Sequence, residues 1–135
     1  MAAGPLVDTS VLIDYFGGSA TPEADALDRC LADGPPPATA PIIAQVFLQG
    51  LRLPRDFEAA AEALSWFDRL DPPDYPAHEA AARLHVEAKR RGRAPSTVDT
   101  LIVAMALAAG RPLLTRDAAQ RALARAAGVA IFQTP

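Results

Sequence analysis

Three times in this chain a short, mostly apolar stretch hands over to an aspartate at the head of a helical pattern. The segments are Leu6-Val7-Asp8-Thr9-Ser10, Ser96-Thr97-Val98-Asp99 and Leu113-Leu114-Thr115-Arg116-Asp117. Apolar runs this short, alternating with helices, fit buried parallel strands. In an open α/β sheet, functional groups gather outside the carboxyl ends of such strands. Three carboxylates gathered there repel one another: at roughly 5 Å each pair costs about 3 kcal/mol at an effective dielectric of about 20. A shared cation relieves that cost, so the pattern points to a metal site rather than a structural device.

The punctuation between these segments organises the rest of the chain. Gly4 to Val7 reads as a buried strand, and Thr9 or Ser10 can cap a helix through Val11, Leu12 and Tyr15 that Gly17-Gly18 ends. Thr21-Pro22-Glu23 starts a second helix to about Ala32, with proline in its first turn and an acid near the positive end of its dipole. Asp33 to Pro37 is a loop, and Ala38 to Ala40 a very short strand. Pro41 opens a helix to about Leu53. Asp56 caps the next, with Phe57, Ala60, Ala61, Leu64 and Phe67 at helical spacing. After Asp71-Pro72-Pro73, helices are expected over Tyr75–Arg91, Ser96–Ala109 and Asp117–Ala127, and strands over Pro112–Thr115 and Val129–Phe132. The predicted architecture is an α/β sandwich: a short central parallel sheet of four or five strands, helices on both faces, and a helical hairpin over about residues 41 to 70 inserted between strands.

Length and composition agree with one domain over residues 1–135. A chain of 135 residues buries roughly two-thirds of its unfolded surface without staples. Half the residues are apolar and 21% charged, a globular balance. The lone Cys30 excludes an internal disulfide framework, and the absence of Cys/His pairs excludes a structural zinc site, so a reduced, cytoplasmic setting is expected. Asp8 and Asp14 interrupt the N-terminal apolar stretch and no basic segment precedes it, so neither signal peptide nor membrane anchor is expected. A net charge of −3 gives the whole molecule no nucleic-acid footprint, yet leaves room for a local basic patch beside a metal.

Each acid has a plain alternative role. Asp8 and Asp117 can be simple helix caps, and Ser96-x-x-Asp99 is the pattern of a capping box. The inference therefore rests on their joint occurrence. His78, His85 and the only lysine, Lys89, lie in an alanine-rich helix and read as packing or surface residues. Lys89-Arg90-Arg91-Gly92-Arg93 reads either as cations at a helix C-terminus or, with Arg116, as a patch that holds RNA phosphates without reading sequence.

Four blocks in order make the chain similar to a known family. Val7-Asp8-Thr9-Ser10-Val11-Leu12-Ile13-Asp14-Tyr15, Ile42-Ile43 through Leu48-Gln49-Gly50-Leu51-Arg52, Ser96 through Ile102, and Pro112 through Asp117 resemble the PIN-domain ribonucleases. Within them, the toxins of VapBC toxin–antitoxin modules are most similar, over nearly the whole length. The resemblance implies a PIN-like sandwich and a Mg²⁺- or Mn²⁺-dependent endoribonuclease toxin. It maps the acids onto Asp8, Asp99 and Asp117 and the neighbouring hydroxyl onto Thr9 or Ser10. It also implies a cognate VapB-type antitoxin that wraps the hairpin and can push a basic side chain into the acidic pocket, and a homodimer. General chemistry agrees with the reaction class. Hard cations with oxygen ligands suit Mg²⁺ and phosphate, and such an ion activates water and neutralises the leaving oxygen.

The chain departs from the family at one acid. PIN toxins carry a glutamate four residues before the glycine that here is Gly50, and this chain has Val46 there. Gln49-Gly50-Leu51-Arg52 anchors the register, and Gln45 is rotated about 100° away on a helix. Weak metal occupancy and low activity are the expectation. A catalytically inactive PIN-fold protein that binds antitoxin is the competing reading. A phosphoacceptor domain is disfavoured, since Asp8 has Ser10 rather than an acid two residues on, and Lys89 follows no strand.

Overall fold

The computed structural model describes residues 3–134. Residues 1, 2 and 135, which the single-domain expectation includes, lie outside that range. In chain order the elements are β1 (Leu6–Val7), α1 (Thr9–Gly17), α2 (Pro22–Asp33), β2 (Ala38–Thr39), α3 (Pro41–Leu48), α4 (Pro54–Leu64), β3 (Asp68–Arg69), α5 (Tyr75–Arg90), α6 (Thr97–Ala109), β4 (Leu113–Leu114) and α7 (Ala118–Ala126). The strands form one four-stranded sheet in the order β3-β2-β1-β4, with every pair parallel. Leu6 pairs with Ala38 on one side and Leu113 on the other, so β1 lies between its neighbours. Leu6, Val7, Leu113 and Leu114 are closed off from solvent, as parallel strands covered on both faces must be.

Local chemistry explains most boundaries. Thr21 accepts a hydrogen bond from the Ala24 N–H at the head of α2, Ser96 does the same for Asp99 on α6, and Asp74 for Ala77 on α5. Gly18 and Gly110 end α1 and α6 in the left-handed conformation. From Thr100 to Ala106 every residue of α6 is buried, so this helix is apolar all round and forms the centre of the fold. It packs against α5 and α7, while α1 packs against α2 and α3.

Four expectations are corrected. The helix opened by Pro41 stops at Leu48 rather than near Leu53. Pro54 drives the residue before it into extended backbone, and Leu53 is accordingly at φ −97°, ψ 133°. Asp56 therefore caps nothing; it lies in the first turn of α4, which Leu53 precedes without a side-chain cap. Phe67 is not on the helix: α4 ends at Leu64, and the next residues turn into the edge strand β3, which the sequence reading missed. Asp68 and Arg69 are exposed and polar, so no apolar run marks them; the Asp68 N–H to Pro37 (2.8 Å) and the Leu70 N–H to Thr39 (2.9 Å) dock the strand. Val129–Phe132 reduces to a bridge between Ile131 and Leu113 on the outer side of β4.

Candidate active site

The strand order decides where chemistry can sit. From β1 the chain builds outward through β2 to β3, then crosses back to place β4 on the other side of β1. The order reverses between β1 and β4, and such a switch point opens a crevice beyond the strand ends. Asp8 directly follows β1, and Thr115, Arg116 and Asp117 follow β4.

Asp8 is buried and held on one oxygen. Its Oδ2 accepts from the Ser10 hydroxyl (2.7 Å), the Ser10 N–H (3.3 Å) and the Thr115 hydroxyl (3.0 Å). Among the described residues Oδ1 accepts none of these, which leaves that oxygen to face another partner. Ser10 also accepts from the Arg116 N–H (3.2 Å), and Thr115 from the Asp117 N–H (3.1 Å), so the two post-strand segments are laced together. Of the two hydroxyls expected beside the first acid, Ser10 makes this contact; Thr9 is the first residue of α1 and forms no hydrogen bond through its side chain among the described residues.

Asp117 caps α7, its Oδ1 accepting from the Ala119 N–H (2.8 Å) and the Gln120 N–H (3.1 Å). Asp8 likewise caps α1. The plain capping roles hold for both, and they fix the carboxylates rather than compete with a site. Asp99 comes from α6, in the third position of its capping arrangement. Burial raises its pKa above the ordinary carboxylate value; Ser96 hydrogen bonding opposes that, and the charges of Asp8 and then Asp117 add to it. Asp99 is thus close enough to both other acids to feel their charge.

Among the described residues no three His, Cys, Asp or Glu side chains converge tightly enough to enclose a metal ion. The donor set still fits a magnesium-like ion. Mg²⁺ keeps several waters and takes only one or two carboxylates, and this crevice offers oxygens alone, one of them the unshared Oδ1 of Asp8. Val46 is half-buried and lines a mostly apolar groove with Ile13, Phe16, Phe47 and Leu51, in which Asp56 is the acid and none of Asp8, Asp99 and Asp117 takes part.

The cations divide. Arg116 forms a two-pronged ion pair with buried Asp14 through Nε and Nη2, the latter at 3.2 Å from Oδ1, so its guanidinium straps the β4 loop to α1. Arg90 and Arg91 turn to Glu87 on their own helix, at 3.4 and 3.9 Å. Arg93 instead lines a cavity with Asp99. Of the four arginines considered for RNA, only Arg93 shares a cavity with one of the acids. Arg121 donates to the Thr115 carbonyl (3.1 Å) and pairs with Glu23 (3.5 Å), a second strap. Thr115 and Asp14 are site residues that sequence reasoning missed. Thr115 stands immediately after β4, which was the available signal; Asp14 reveals itself only through its distant partner.

An α/β protein with an acidic, oxygen-donor crevice at a sheet switch point is the class that this geometry defines. The PIN domain family matches residues 6–126, and the chain belongs to it. A toxin–antitoxin complex from Klebsiella pneumoniae is 28% identical with a TM-score of 0.67, covering 84% of this chain and 87% of that chain. VapC20 of Mycobacterium tuberculosis, a Sarcin-Ricin loop cleaving toxin, shares the fold at 23% identity and TM-score 0.72, over 98% of this chain and 100% of that chain. FitAcB of Neisseria gonorrhoeae does so at 23% and 0.71, over 95% and 96%. No curated protein matches. Family and neighbours together are consistent with a VapC-type PIN toxin.

Proposed function

We propose that the chain is a metal-dependent endoribonuclease toxin restrained by a cognate VapB-type antitoxin. One observation carries the reading: Asp8 and Asp117, from distant parts of the sequence, lie close enough to Asp99 for both charges to act on its carboxyl. Asp8, Asp99 and Asp117 would hold Mg²⁺ or Mn²⁺, which when bound supplies an acidified water and neutralises charge on the phosphate and leaving oxygen. The chain's own groups do the rest. Ser10 and Thr115 fix the Asp8 carboxylate through Oδ2. The α7 N-terminus fixes Asp117. Arg93, which lines a cavity with Asp99, would steady an RNA phosphate there.

The antitoxin reading rests on a largely apolar groove between α1, α2 and α4, lined by Tyr15, Phe16, Leu31, Ala63 and Trp66 together with Asp28 and Glu62, with Trp66 76% exposed. A homodimer belongs to the same proposal. Metal-dependent cleavage of a mixed RNA by the purified chain tests the activity. Asp8→Asn is expected to abolish cleavage, and cleavage that survives both this substitution and chelation would overturn the reading.

Val46 favours a second reading, an inactive PIN-fold protein that binds antitoxin, because a side chain that cannot hold a metal stands where the family carries a glutamate. Val46→Glu separates the two. Cleavage that rises about tenfold or more supports an impaired enzyme. No cleavage in either form, with antitoxin bound, supports the second.

A further inference from the structure

Gln120 is an anomaly that the ribonuclease reading leaves unused. It is 1% exposed, and among the described residues neither its amide nitrogen nor its amide oxygen has a hydrogen-bond partner. A buried amide with both ends unpaired is costly, and replacing it with an apolar group of similar shape is neutral or stabilising. The fold gains nothing from this side chain. Such groups call for an explanation outside packing.

Its location supplies one. Gln120 lines a cavity of about 360 Å³ together with Arg93, Pro95, Asp99, Ala119 and Leu123. The volume is within the range of small-ligand sites, which combine apolar walls with a few polar groups. The cavity has that composition: Pro95, Ala119 and Leu123 for a flat face, an amide, a cation, and an acid of the crevice. Unstacked RNA bases are recognised by apolar or aromatic contact on their faces and hydrogen bonds along their edges.

We propose that this cavity receives one nucleobase of the RNA, next to the scissile phosphate, and that Gln120 reads it. The inference rests on the ribonuclease reading above and adds its base preference. A glutamine amide offers a donor and an acceptor side by side, the complement of the adenine N6/N7 edge. The Gln120 side chain turns out of the wall to meet it, with no structural hydrogen bond to break. Arg93 holds the adjoining phosphate.

The test uses the full chain and eight-nucleotide single-stranded RNAs that carry A, C, G or U at one central position. Binding is read by fluorescence anisotropy in Ca²⁺ at fixed salt, since phosphate affinity moves with ionic strength. Adenine is expected to bind about tenfold better than cytosine or uracil. Gln120→Leu should flatten the preference while leaving the melting temperature equal or higher. Gln120→Glu, which keeps an acceptor but loses the donor, should move the preference toward cytosine. Arg93→Ala should weaken all four RNAs alike. RNA that binds without base preference, or a preference that survives Gln120→Leu, overturns this inference and leaves the ribonuclease reading intact. Absence of both RNA binding and cleavage overturns the two together.

Discussion

At the level of single residues, Asp99 carries the sharpest consequence. Burial, then the like charges of Asp8 and Asp117, raise its carboxyl above the ordinary value against the pull of Ser96. The folded chain therefore holds this proton over a pH range in which the unfolded chain has released it. Stability falls as pH rises through that range, from the ordinary aspartate value to the raised one, and the cost persists above it. Asp99→Asn should thus melt higher than the parent at neutral pH in chelator, with the gap closing below about pH 3. Thermal melts at both pH values check this; a gap of equal size in acid would mean that the gain is not electrostatic. The acids themselves were legible because each stands at a strand or helix junction. Arg116 was not: its neighbour in sequence is Asp117, but its guanidinium goes to Asp14, 102 residues away along the chain. Sequence proximity says nothing about which of two acids a long side chain will choose.

At the level of elements, strands of two residues are legible where they are buried and mostly apolar, as Ala38–Thr39 also was. Leu6–Val7 and Leu113–Leu114 announce themselves, whereas Asp68–Arg69 does not. That exposed edge is kept by backbone bonds and by an ion pair from Asp68 to Arg111 at 2.9 Å, a polar edge that discourages pairing with other chains. Arg111 reaches further, donating to the carbonyls of Gly4 (3.1 Å) and Pro36 (3.4 Å) where the entries to β1 and β2 touch. The contact is so close that a Cβ on Gly4 would lie 2.1 Å from the Pro36 carbonyl oxygen. Backbone cannot swing aside as a side-chain tip can. Gly4→Ala should therefore cost about 3 kcal/mol by forcing the β1–β2 entry apart. Denaturant unfolding measures it, and a loss below about 1 kcal/mol would show that the two segments separate easily. The early end of α3 has the same lesson in reverse: Pro54 was visible and keeps the residue before it out of a helix, so Leu53 could not have been the last residue of α3.

At the level of the molecule, the reversal of strand order turns three remote acids into neighbours. Asp8 follows the first strand, Asp117 caps the last helix, and Asp99 belongs to the buried helix that packs against that last helix. Unfolding scatters them, so an ion held by this set binds the native chain alone. Its binding free energy then appears as stability by mass action, about 2.7 kcal/mol at a hundred times the dissociation constant. For a domain of this size that corresponds to a rise of about 8 °C in melting temperature. Mn²⁺ should produce a saturable shift of this order in the parent chain, and Asp8→Asn should remove it without lowering the metal-free melting temperature by a comparable amount. The readout needs no RNA and no turnover, so it separates a crevice that holds metal from one that merely tolerates its own repulsion. A shift as large in Asp8→Asn as in the parent would locate the ion elsewhere and leave the gathered acids without a common partner.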